Sequence, residues 1–302
     1  MVVLIRCGFL TKWRNGIYIL AFGNLIGDTF QQALVFIYVV PTSIAQSFIV
    51  SDDRRHPVVI MFAYLFLVFW YSGLAIQSFI AIDRLLNVVF PRVVKNWSSQ
   101  VYIISIIAIY VLVFSMAVVS QLLLPCCTAY IYFGSFGYAY LGDGFNYSDH
   151  YIDLPLNSIC TLLMFVCYAW IYLFLKRTNA VVPLRLDEKL RRKYREGKMA
   201  LQFGVIATVL AFTWISFRIF PLLIPPTIPQ LYSLVTFALS FHCGSNSFIF
   251  LTMNKEFQKC FLETYTLGER HRLFFVLPIK TVGLGDNRKP TTNQSTQMTQ
   301  PR

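Results

Sequence analysis

The chain has 302 residues, of which 56% are hydrophobic, 17% aromatic and only 13% charged, with a formal net charge of +12. A soluble globule carries about 25% charged residues, so this composition excludes a water-facing surface of ordinary size and points to an all-α integral membrane protein with several crossings. The basic residues cluster between apolar runs, which reads as an orientation signal beside an anionic leaflet and not as a nucleic-acid footprint.

Residues 1–10 are apolar but interrupted by Arg6. They are too short to cross a bilayer, which takes about 20 residues, and they lack the form of a cleavable signal peptide. They read as the remnant of a first helix, followed by a short basic loop. Residues 16–262 read as the transmembrane domain, with spans at 17–41, 58–82, 101–124, 154–175, 199–223 and 230–253 and a short amphipathic helix at 254–262. Residues 263–302 read as a cytoplasmic tail that turns disordered as Thr, Gln, Asn and Pro take over.

In the first span Asn24, Asp28, Gln31 and Gln32 fall on one helical face. A carboxylate facing lipid is costly, so this face is expected to look into a bundle. It reads as a polar network that rearranges, as a cation site, or as hydrogen-bonding glue between helices. Pro41 predicts a kink or an end near the far side.

The second span closes on Asp83 and Arg84, followed by Pro91, Arg92 and Lys95. Counted back from Arg84 at helical spacing, Gln77, Gly73, Trp70 and Phe66 share a face. Phe66 and Trp70, with Trp214 past the middle of the fifth span, are candidate walls of a ligand pocket or, on the plainer reading, core packing residues.

The segment 126–153 is aromatic and acidic, with Asp143, Asp149 and Asp153 and no Lys or Arg. Cys126 and Cys127 stand side by side in it, able to form a disulfide but without an evident partner. Asn146-Tyr147-Ser148 is a glycosylation sequon. The strongest charge run follows at 176–198. The last span carries His242, Ser245 and Asn246 at i, i+3 and i+4, as a bundle-facing polar site or as interhelical glue.

Basic segments at 11–14, 92–95, 176–198 and the tail alternate with balanced, acidic or uncharged ones at 51–57, 126–153 and 224–230. The positive-inside rule then gives six full spans and a cytoplasmic C-terminus. Restoring a complete first helix would make seven.

Three stretches carry a resemblance. Arg14-Asn-Gly-Ile-Tyr-Ile-Leu20 runs on to Val39-Val40-Pro41; Ser78-Phe-Ile-Ala-Ile-Asp-Arg84 is followed by Phe90-Pro91; Asn246-Ser-Phe-Ile-Phe250 precedes Asn254-Lys-Glu-Phe257. Their order and spacing resemble the nematode chemosensory receptors called serpentine receptor class X, which are related to rhodopsin-like receptors. The resemblance implies a rhodopsin-like seven-helix bundle in the plasma membrane, with its first helix largely missing here. It implies a chemosensory G-protein-coupled receptor whose partners are a heterotrimeric G protein and a small-molecule or peptide ligand. Asp83 and Arg84, with Pro91 after them, would form the G-protein switch, and Asn24, Asp28 and Asn246 the bundle's polar network. It implies no enzyme activity, no cofactor, no metal and no nucleic acid.

The chain departs from the pattern in three places. Gly16 stands where the family has proline. No cysteine stands at the start of the second span. Trp214 is followed by Ile215 and Ser216, not by the usual Trp-x-Pro. The alternatives are a transporter or channel with Asp28 and Arg218 along a polar path, though no internal repeat is visible, and a truncated, non-functional receptor. A membrane enzyme lacks support, because no His-Glu-x-x-His, serine elbow or His/Cys ligand cluster occurs.

Overall fold

A computed structural model describes residues 4–5, 16–51, 53–94, 97–142, 144–181, 188–225, 227–253 and 255–265. The described residues are mostly helical. Helix α1 (Gly16–Leu34) continues through a π turn (Val35–Val39) into α2 (Val40–Ala45). Then come α3 (Pro57–Val89), the short α4 (Pro91–Val94) and α5 (Ser99–Val118), which ends in a second π turn (Val119–Leu123). A hairpin of β1 (Ala129–Tyr132) and β2 (Gly137–Tyr140) precedes a π turn (Asp149–Asp153) and α6 (Leu154–Val181). Last come α7 (Glu188–Leu223), α8 (Ser233–Met253) and α9 (Lys255–Tyr265).

Local chemistry sets the helix ends. Pro57 occupies the first turn of α3, where its missing N–H costs nothing, and the His56 ring accepts from the Val58 N–H at 3.3 Å. Pro91 bars continuation, so α3 closes at Val89. The helix does not end at Pro41. The proline cannot donate to the carbonyl four residues back, and the wider π turn before it absorbs the mismatch. The helix then runs on to Ala45 and stops at Gln46, which is in the left-handed region at φ 49°.

Helix α3 is the axis of the bundle. It packs against α1, α5, α6, α7 and β1, and its middle is buried on every side, with Leu67, Tyr71, Ser72, Leu74 and Ala81 fully inside. The first half of α1, from Gly16 to Asp28, is nearly as enclosed, whereas α5, α6 and α7 each keep an exposed side. Large apolar side chains point outward along α5 (Ile104, Val111, Phe114), α6 (Ile159, Leu162, Phe165) and α7 (Phe212, Ile215). Polar ones turn inward: Asn24, Asp28, Gln77, Asp83, Asn157, His242 and Asn246 are all buried. An apolar exterior around a polar interior is the arrangement that a lipid solvent selects.

Among the described residues four stretches are long and apolar enough to cross a membrane: Pro57–Val89, Ser99–Leu123, Asp149–Arg177 and Ala200–Phe220. A count of six needs the helical stretches 16–45 and 233–253 as well, and these two carry the inward-facing Asn24, Asp28, Gln31 and Gln32 and His242, Ser245 and Asn246.

Several sequence boundaries shift. Helix α7 begins inside the basic run, at Glu188, because Glu, Lys, Leu and Arg favour helix. Positions 182–187 of that run lie outside the described residues. The amphipathic helix reaches Tyr265, three residues past its expected end. The tail beyond it, and most of the segment 1–10, also lie outside the described residues; within that segment Leu4 is buried.

Candidate functional site

Three polar clusters lie along the bundle, and α3 passes through all of them. At the first, near the C-terminal end of α3, Arg84 is buried to 4% exposure and Asp83 to 0%. The Arg84 Nη2 and Nε donate to Asp83 Oδ2 at 2.5 and 3.1 Å. The other carboxylate oxygen accepts from the Tyr102 hydroxyl at 2.9 Å and from Asn87 Nδ2 at 3.0 Å. Four groups therefore hold one carboxylate. Gly16 makes room for this, because a methyl group on it would overlap the Tyr102 ring. Pro91 is exposed at the head of α4, beside the exposed Phe90.

The second cluster lies mid-bundle. Asp28 Oδ2 accepts from Asn24 Nδ2 at 2.9 Å and from Asn246 Nδ2 at 2.5 Å, and Asn246 Oδ1 accepts from Gln77 Nε2 at 3.3 Å. The structure thus brings Asn24, Asp28 and Asn246 together and adds Gln77. Gln31, on the same face of α1, is buried with neither side-chain polar atom partnered among the described residues.

The third cluster surrounds a cavity of about 370 Å³ under the hairpin. Trp70 of α3 and Trp214, Phe217 and Arg218 of α7 line it, with Tyr138 and Tyr140 of β2. The hairpin is antiparallel, with Ala129 opposite Tyr140 and Tyr132 opposite Gly137. It is pinned over the bundle at three points. The Ala129 N–H donates to Gln121 Oε1 at 3.1 Å, the Thr236 hydroxyl of α8 donates to the Phe136 carbonyl, and Phe66 packs on Tyr138 at 5.5 Å between ring centroids. Beyond β2, Gly142 sits at φ +106°, a conformation that suits glycine and lets the chain turn back beside Cys126. Cys126 and Cys127, left without an evident partner by the sequence, are bonded to each other.

Arg218 reaches across the cavity to the turn before α6. Its Nη1 donates to Asp149 Oδ2 at 2.9 Å, and its Nη2 lies 2.7 Å from Asp149 Oδ1 and 2.9 Å from Asp153 Oδ2. Asn157 Nδ2 donates to Asp153 Oδ1 at 3.0 Å, and Asn157 Oδ1 accepts from Trp70 Nε1 at 3.2 Å. An unbroken hydrogen-bonded chain therefore runs from the ion cluster to α3. Burial, with the Asp153 charge next, pushes the Tyr138 hydroxyl well above the usual tyrosine range, so it faces the cluster as a neutral phenol.

A protein-family model described as serpentine type 7TM GPCR chemoreceptor Srx matches residues 1–254. The chain belongs to that family. No curated protein matches it. Among solved structures the crystal structure of squid rhodopsin is similar, with a TM-score of 0.63 at 17% identity over 87% of this chain and 82% of that one. At that identity the likeness shows the fold alone, a rhodopsin-like bundle. The Srx chain is thus a multi-pass membrane protein of a receptor family, not of an enzyme family.

Of the pocket candidates in this Srx chain, Trp70 and Trp214 line the cavity. Phe66 is one layer behind, against Tyr138. Asn146 is half-buried and its Oδ1 caps the turn by accepting from the Asp149 N–H at 3.0 Å, while the sequon's Ser148 is buried and donates to the Ser120 carbonyl at 2.7 Å. The triplet therefore has a structural job whatever its glycan. Sequence reasoning missed the Arg218 partners and the hairpin roof. The signal for the roof was present, as aromatic residues alternating at Tyr130, Tyr132, Tyr138 and Tyr140 about Gly134 and Gly137.

Proposed function

We propose that this chain is a chemosensory G-protein-coupled receptor of the plasma membrane. A ligand enters the cavity under the hairpin, on the outer side, and a heterotrimeric G protein meets the Arg84 end on the cytoplasmic side, where the C-terminus also lies. Residues 16–262 form the receptor domain and 263–302 its tail.

One observation carries the reading: a single rigid helix, α3, holds Trp70 in the cavity wall and Arg84 in the buried ion pair. Arg84 stands fourteen steps beyond Trp70, about 21 Å at the usual helical rise. In the resting state Asp83, steadied by Tyr102 and Asn87, holds Arg84 through its Nε and Nη2. A ligand that pulls on Trp70, or on the Asn157–Asp153–Arg218 chain beside it, favours a different placement of α3 against α5 and α6. Population then shifts toward a state with the Asp83–Arg84 pair open, by no more than the ligand's differential affinity for the two states. Asn24, Asp28 and Asn246, midway, are the network whose hydrogen bonds exchange as the helices move. Asn146 is the proposed glycan acceptor.

The test is nucleotide exchange on a G protein by receptor in membranes. Arg84→Ala is expected to abolish stimulated exchange while surface expression is kept. Coupling equal to wild type in that variant overturns the reading.

A further inference from the structure

The cavity under the hairpin carries a charge balance and a lining that select a ligand class, an inference that rests on reading this cavity as the ligand site. Its ionic lining among the described residues is Asp149, Asp153 and Arg218, two carboxylates to one guanidinium. Both guanidinium Nη atoms are already committed to those carboxylates. The closed cluster therefore keeps a surplus of one negative charge. The remaining titratable groups on the lining are the Tyr138, Tyr140 and Tyr232 phenols. The segment 126–153 that roofs the cavity has three acids and no Lys or Arg in its sequence.

The walls are aromatic. Trp70, Tyr138, Tyr140, Trp214, Phe217 and Tyr232 all face the space. Aromatic faces are electron-rich and attract cations, more strongly once water is excluded. An anionic ligand meets the opposite conditions. To reach Arg218 it must displace two carboxylates that already hold both Nη atoms, and it stays beside their surplus negative charge, a repulsion that one new ion pair does not recover. An uncharged ligand leaves the surplus charge as it stands. A cation completes the balance.

Asp149 is the carboxylate available for sharing: its side chain is 27% exposed, against 4% for Asp153. Each of its oxygens retains a lone pair beyond the one given to Arg218. A second feature marks the far wall. The Trp214 indole N–H is buried without a partner among the described residues, which leaves a donor for an acceptor atom on the ligand.

We propose that the cavity binds a small organic ammonium ion, with its charged nitrogen shared by Asp149 and its apolar body against the rings of Trp70, Tyr138 and Trp214. At about 370 Å³ the space suits a compact arylalkylamine.

The test uses full-length receptor purified into nanodiscs, without G protein. The probes are 2-phenylethylammonium, 3-phenylpropylammonium and phenyltrimethylammonium, with 2-phenylethanol as neutral isostere and 3-phenylpropionate as anion. Binding is read by tryptophan fluorescence and by thermal shift. At least one ammonium is expected to bind about tenfold or more tightly than the alcohol, a difference within the range of a desolvated cation–π and ion-pair site, and the carboxylate is expected not to bind. Asp149→Asn should remove that preference, bringing the best ammonium level with the alcohol. The alcohol or carboxylate binding as well as the best ammonium, binding by none of the three ammonium ions, or an unchanged preference in Asp149→Asn each overturns the proposal. The wild-type ligand series stands by itself if the variant fails to fold. If the receptor couples but no ammonium binds, the ligand class alone fails. If an ammonium binds but Arg84→Ala signals like wild type, the coupling reading alone fails.

Discussion

Asn246 donates from its Nδ2 to the Asp28 carboxylate at 2.5 Å, joining residues 218 positions apart. The same carboxylate oxygen accepts from Asn24, and Gln77 donates to the other end of Asn246. Three helices, α1, α3 and α8, are thereby tied at one point inside the bundle. In Asn246→Ala the buried Asp28 and Gln77 each lose a partner. Hydrogen bonds between membrane helices are worth about 0.6 kcal/mol on average, but stranded buried polar groups cost about 1–3 kcal/mol. The expected loss is therefore about 1–2 kcal/mol, seen as a lower unfolding temperature of detergent-purified receptor. An unfolding temperature equal to wild type would remove the network from the list of structural ties.

Asp83 is held by three other side chains, and Tyr102 is the one from a different helix. Tyr102→Phe deletes its hydroxyl and little else. A hydrogen bond to a charged group contributes about 1.5–3 kcal/mol, so the resting pair loosens and the open state gains about ten- to a hundredfold in population. Basal nucleotide exchange is expected to rise in Tyr102→Phe with expression unchanged. A fall in basal exchange, or none, would mean that Tyr102 does not restrain the pair.

Gly16 acts on the same bond from the other side. A methyl group there overlaps the Tyr102 ring, so the ring must shift away from where its hydroxyl meets Asp83. Gly16→Ala is expected to raise basal exchange as Tyr102→Phe does. In the double variant the second change adds little basal activity, because the bond is already gone; contacting residues are where such non-additivity arises. Fully additive basal activities would separate the two sites.

These ties differ in how far the sequence revealed them. The pair at 83 and 84 was legible because charges are rare in the chain and these two close an apolar run. The face of Asn24 and Asp28 was legible from helical spacing, since a carboxylate in lipid has to turn inward. Trp70 and Trp214 stood out as bulky residues at pocket depth, but spacing alone does not tell the wall from the layer behind it, and Phe66 fell in that layer. The Arg218 partners were not legible. They lie 65 and 69 positions away, on a π turn whose register no helical count reproduces. The hairpin was hidden by its brevity, two strands of four residues inside a loop read for its charge. The π turn before Pro41 was hidden as well, because proline permits a kink, a stop or a wider turn, and the surrounding packing chooses.

The Arg218 cluster offers the sharpest energetic test, because it sets one cation against two acids. Arg218→Gln removes the one charge that, among the described residues, compensates Asp149 and Asp153. Breaking a fully buried pair costs about 3–5 kcal/mol; the Arg218 side chain is 32% exposed, so solvent screening reduces the expected loss to about 2 kcal/mol. Asp153→Asn alone should cost less, since Arg218 keeps Asp149. Adding Asp153→Asn to Arg218→Gln removes the more deeply buried stranded carboxylate, so the double variant is expected to be more stable than Arg218→Gln by itself. Thermal unfolding of the four receptors closes the cycle. A double variant less stable than Arg218→Gln would show that Asp153 serves the fold through Asn157 and not through its charge.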